Sequence, residues 1–177
     1  MVFTIFLTTI KKVSFLPHID KEKLEQTLAA GDDFALFDLL AEPLHEELYR
    51  RQEFHFMDEL TEGQQLILSY DYLRSQVAQG GFIQFLVNGY IGLLPEMPGW
   101  LQRMGAHEMA QVVDDAIKVY VLNHDLFSKD LSNEKFAKLY EELKEFEIID
   151  SRFATLNDAT IHIIMEYART HINEFAS

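Results

Sequence analysis

Six of the eight glycines in this chain fall between Gly80 and Gly105, in company with Pro95 and Pro98. Glycine supplies positive φ at helix ends without steric cost, and proline cannot continue a helix interior. Gly80-Gly81 stands between two segments of helical apolar periodicity, and so do Asn88-Gly89 and Gly92. The pattern predicts several short helices that turn sharply on one another and release at Gly105 into one long helix. In that helix Ala106, Met109, Ala110, Val113, Ala116, Ile117, Tyr120 and Val121 recur at helical spacing. His107, Glu108, Gln111, Asp114, Asp115 and Lys118 take the other face.

The same stretch carries a family resemblance. Gly80-Gly81-Phe82, Gln84-Phe85, Asn88-Gly89, and Met104-Gly105-Ala106 followed by Ala110 resemble a small bacterial all-helical family with a GGF-x-Q-[FY] turn. In that family an Asn-Gly and an IGA-type helix start follow the turn. Asp150, Phe153, Tyr167 and His171 are similar to its closing helix, so the resemblance runs from about Leu44 to Phe175. Gln79 stands where the family more often has Asn, and Met104 replaces an aliphatic residue. The resemblance implies a structural role for Gly80, Gly81, Phe82, Gln84, Asn88, Gly89, Gly105 and Ala106. The family includes an acidic dimeric DNA mimic that occupies the DNA-binding surface of a transcription regulator. This implies a homodimer and a basic protein partner here.

Upstream, Asp20 is placed to cap a helix ending near Gly31, and Asp32-Asp33 to cap a second. Phe34, Phe37, Ala41, Leu44 and Leu48 are its expected buried stripe, with a kink or a new start at Pro43. Thr61-Glu62-Gly63-Gln64 has capping-box form ahead of Leu66, Tyr70, Leu73 and Val77. Ser132 is placed to cap a helix bearing Phe136, Leu139, Tyr140, Leu143 and Phe146. A last helix is expected from near Asn157, with Ile161, Ile164, Met165, Ala168, Ile172 and Phe175. The fold class is therefore all-α: one compact multi-helix domain over residues 20–177, preceded at 1–19 by a short strand or an added arm. The β-branched content of Val2 to Ile10 suits either.

There is no cysteine, which excludes disulfides, thiolate nucleophiles and cysteine-ligated zinc. The lysines at the N-terminus follow the apolar run, and no small-residue cleavage site is evident. The chain therefore reads as cytoplasmic, without a secretory signal or a membrane span. Its net charge is −14, of which −9 falls in residues 20–62. Such a balance repels nucleic acid and anionic membranes and attracts basic surfaces.

Catalytic chemistry finds little footing in these residues. Glu42-x-x-His45 has the spacing of di-iron bundles, but one copy is present where two are needed, and Pro43 interrupts it. Asp158 and His162 stand at i and i+4, too few for a ligand set. Glu141-Glu142 with Glu145, and Glu46-Glu47, read as solvated helix faces rather than acid–base pairs. No nucleophile elbow or phosphate loop occurs, so neither a cofactor nor a metal is expected. The expected function is a non-enzymatic acidic interaction domain, possible partners being a basic DNA-binding protein or another basic protein. The partner-binding face is expected at Glu42, Glu46, Glu47, Glu53, Asp58, Glu59 and Glu62, with Asp114 and Asp115 as a second array. Clustered carboxylates would serve equally well in a DNA mimic and in an immunity or adaptor protein that binds a basic partner without mimicry.

Overall fold

In the computed structural model, residues 15–127 and 131–177 are described, so the strand or arm expected at Val2 to Ile10 lies outside them. Four of the helices begin where a side chain satisfies a free backbone N–H group. Asp20 accepts from Lys23 N to open α1 (Lys21–Ala30), which Gly31 ends at φ 70°. Asp32 accepts from Ala35 N to open α2 (Asp33–Arg51). Thr61 and Gln64 form a reciprocal capping box at the start of α3 (Glu62–Val87). After a 3₁₀ turn at Tyr90–Leu93 come α4 (Met97–Met104), with Pro98 in its first turn, and α5 (His107–Leu122). Ser132 caps α6 (Asn133–Glu142), and α7 (Glu145–Thr170) closes the fold. The described residues contain no strand.

The core is organised around α3. Every residue from Gly63 to Tyr70 is buried, so its first half is enclosed on all sides rather than along one stripe. It packs against α2, α4 and α7, while α5 packs on α4 and α7. Gln64, Gln65 and Ser69 are thereby carried into the interior among Leu66, Ile67, Leu68 and Tyr70.

Four expectations from the pattern are corrected. No new helix starts at Pro43, which lies inside α2, and Phe34 is 42% exposed because the buried face is centred on Leu36, Phe37, Leu40 and Leu44. The long helix α5 buries Val112 with Met109, Ala110, Val113 and Ala116, and leaves Val121 outside. The closing helix begins twelve residues before Asn157, at Glu145. Asp150 and Asn157 look like breaks in a periodic pattern, but both lie inside α7 and bond across to α3. Asp150 accepts from Phe82 N at 2.8 Å, and Asn157 Oδ1 accepts from the Tyr70 hydroxyl at 3.2 Å.

Candidate functional site

The glycine pair breaks α3 as expected. Gly80 (φ −162°, ψ 26°) and Gly81 (φ 69°, ψ −175°) leave the helical region, and the chain re-enters a helix at Phe82. That re-entry exposes a new set of unpaired N–H groups, as any helix start does. Asp150 fills the role of a cap from a distant helix by accepting from Phe82 N. A Cβ on Gly81 would collide with the Asp150 carboxylate, so positive φ and close approach both require glycine there. Tyr140 donates its hydroxyl to Gly80 O at 2.7 Å. Burial pushes the Asp150 carboxyl above the ordinary carboxylate range, and the Phe82 N–H pulls it back in part. Phe82 and Phe85 are fully buried, and Asn88 reaches back to Gln76 Oε1 at 2.7 Å. Gly89 and Gly105 both adopt positive φ, and Ala106 is buried at the entry to α5. The motif residues thus build a turn and its buttress.

The acidic residues divide sharply by what holds them. Glu47 receives Arg50 and Arg51 at 2.6 Å, and these two hydrogen-bond donors hold its carboxyl at about 2. Arg51 also reaches Glu59 at 2.7 Å. Arg103 pairs with Glu62 at 2.7 Å. On α5, Lys118 pairs with Asp114 at 2.6 Å and Arg152 with Asp115 at 2.7 Å. Asp58 stands 3.9 Å from His55. Arg74 bridges Asp38 and Asp71, and Arg169 bridges Asp33 and Glu166. All six arginines of the chain are therefore engaged by its own carboxylates. Glu42, Glu46 and Glu53 are exposed and have no basic partner among the described residues. Glu42 and Glu46 follow Asp38 at four-residue steps along the outer side of α2, placing successive Cβ atoms roughly 5–6 Å apart.

The histidines do not assemble ligands with these carboxylates. His45 gives its Nε2 to Asp71 at 2.7 Å and sets its ring against Tyr72. His162 pairs with Asp33 at 2.7 Å, not with Asp158, which instead receives the Asn157 amide. No group of three or more metal-capable side chains occurs among the described residues. Nor is any single helix among them long and apolar enough to cross a membrane.

Sequence reasoning missed the arginine pairing: Arg74–Asp38, Arg103–Glu62, Arg152–Asp115 and Arg169–Asp33 join residues far apart in the chain, whereas the helix-spaced pairs of Glu47 were legible and were passed over. It also missed the contribution of Tyr140 and the buried, unbonded hydroxyl of Ser69. No curated protein matches the chain. The family model for DMP19-like protein matches residues 58–171, which takes in the Gly80-Gly81 turn, Tyr140 and Asp150 but ends short of Glu42, Glu46 and Glu53. By that match, over most of its length, the chain belongs to the DMP19-like protein family.

Proposed function

We propose that this protein is a non-enzymatic interaction domain that uses its α2 edge to occupy the DNA-binding surface of a basic protein. One observation carries the reading: every arginine is folded onto an internal carboxylate, while Glu42, Glu46 and Glu53 are exposed with no basic partner among the described residues. A surface of that kind presents fixed negative charge at regular spacing, as a phosphate backbone does. Membership in the DMP19-like family supports the mimic reading, and the net charge of −14 supports a basic partner. In a symmetric dimer the array would repeat across a two-fold axis, as DNA half-sites do for dimeric regulators.

The test is competition. A basic DNA-binding protein captured from the source cell at low salt is mixed with its DNA duplex and with increasing amounts of this chain. Mutual exclusion of duplex and chain is the expected result. A ternary complex would reject mimicry and leave a plain acidic adaptor. The triple variant Glu42→Lys, Glu46→Lys, Glu53→Lys should slow association by about tenfold or more, because charge steering accelerates encounter by roughly 10–10³. Unchanged association in that variant would show that another face binds.

A further inference from the structure

A cavity of about 290 Å³ opens beside the 3₁₀ turn Tyr90–Leu93. It is lined by Met57, by Gln65 and Ser69 of α3, and by Tyr90, Glu96 and Trp100. Ser69 is fully buried, and its hydroxyl has no hydrogen-bond partner among the described residues. A buried hydroxyl normally finds one, because desolvation is otherwise uncompensated. Gln65 shows the complementary pattern. Its amide nitrogen donates to Met57 O at 2.8 Å and to Leu60 O at 3.0 Å, which uses both of its hydrogens. That arrangement fixes the amide orientation and leaves Oε1 as an acceptor with no partner among the described residues. Glu96 is exposed, so its carboxylate marks the solvent side, and no lysine, arginine or histidine lines the cavity.

The cavity therefore offers oxygen acceptors from its buried floor to its rim, together with two aromatic rings. A guest suited to it must donate several hydrogen bonds, carry positive charge and present a flat face. Guanidinium meets all three requirements: it is planar, has five N–H donors and no acceptor, and stacks on aromatic faces. An ammonium group is more strongly hydrated and lacks the flat face. A run of ring contacts links the cavity wall to α2. His45 packs against Tyr72 with ring centres 4.9 Å apart, and Tyr72 stacks on Tyr90 at 5.5 Å.

We infer that this cavity is a receptor for one arginine side chain of the partner, which donates to Ser69 Oγ, Gln65 Oε1 and the Glu96 carboxylate while packing against Trp100 and Tyr90. The inference rests on the reading that the partner is basic, and it adds a specific anchor to a diffuse charge attraction.

Trp100 is the only tryptophan, so its fluorescence reports on the cavity without a label. The experiment titrates N-acetyl-arginine amide into the full chain, with the uncharged isostere N-acetyl-citrulline amide and N-acetyl-lysine amide as comparators. A saturable change with the arginine compound is expected, with roughly tenfold weaker binding of the other two. Gly92 lines the cavity with open space where a Cβ would stand, and its φ is not positive. Gly92→Leu should therefore fill the site, abolish saturation and leave the unfolding midpoint unchanged. Ser69→Ala should weaken the arginine compound several-fold. Absence of saturation in the parent protein, or equal affinity for the citrulline compound, overturns the receptor. Such a failure, with duplex-competed partner binding intact, removes the arginine receptor and leaves the α2 edge standing.

Discussion

Gly81 and Asp150 show how a single contact can set both a backbone and a titration. Gly81→Val must place a Cβ against the Asp150 carboxylate while holding φ at 69°. The expected cost is on the order of 3 kcal/mol, from overpacking and backbone strain together. In a chain of this size each kcal/mol lowers the melting midpoint by roughly 2–4 °C, so thermal unfolding reads the effect directly. Asp150→Ala removes the acceptor of Phe82 N and should cost about 1–3 kcal/mol. Asp150→Asn keeps an acceptor and removes the buried charge. Because burial raises the folded carboxyl above 3.8, the folded state holds the proton more tightly than the unfolded state. The Asp150 contribution to stability therefore falls as pH rises from 3.8 through the folded value. Unfolding midpoints across pH 3–7 should show Asp150→Asn gaining on the parent as pH increases. A constant difference would place the cause elsewhere.

Within elements, the caps and most of the buried stripes read from spacing matched the structure, and the misses fell where a partner in another segment decides the outcome. Asp20, Asp32, Thr61 and Ser132 cap helices because a cap needs only nearby N–H groups. Gly31 and Gly105 end helices at positive φ for an equally local reason. The start of α7 was hidden because Asp150 and Asn157 bond to α3, and no periodicity within one segment reveals a partner in another. Phe34, in the first turn of α2, shares the helical spacing of the buried residues but is left 42% exposed. The acidic residues of the candidate face were legible as a charge run, and Arg50 and Arg51 stand at helix spacing from Glu47, but the pairing of Arg51 with Glu59 and of Arg103 with Glu62 became visible only in three dimensions. Pro43 shows packing prevailing over propensity, since α2 continues past a residue that offers no N–H to Leu39 O. Pro43→Ala should therefore stabilise the protein by about 1–2 kcal/mol, the helix gain being offset in part by a freer unfolded chain. Chemical denaturation would register this as a higher midpoint at constant slope. An unchanged or lower midpoint would show that the proline ring is itself a packing element.

For the molecule as a whole, the paired carboxylates set the response to acid. Burial raises Asp33, Asp71 and Asp115, but hydrogen bonds outweigh it: from His162 and Arg169 to Asp33, from His45 and Arg74 to Asp71, and from Arg152 and Gln111 to Asp115. All three lie below 3.8 in the folded state, and Glu47 falls from 4.5 to about 2. Groups depressed in this way contribute stability above their unfolded values and lose it as pH falls through the folded ones. The midpoint should hold steady near neutrality and drop between about pH 4.5 and pH 2. High salt should soften that drop by screening the more exposed pairs over about 8 Å or less. The closed arginine pairs also determine what the molecule ignores. A cell is crowded with ribosomes, transcripts and chromosome, all of which are bound most firmly through the forked grip of free guanidinium on phosphate. Here every such fork is already occupied by an internal carboxylate. A chain whose guanidinium groups are closed in this way has none left over to fork onto phosphate, so its exposed carboxylates meet polyanions only with repulsion.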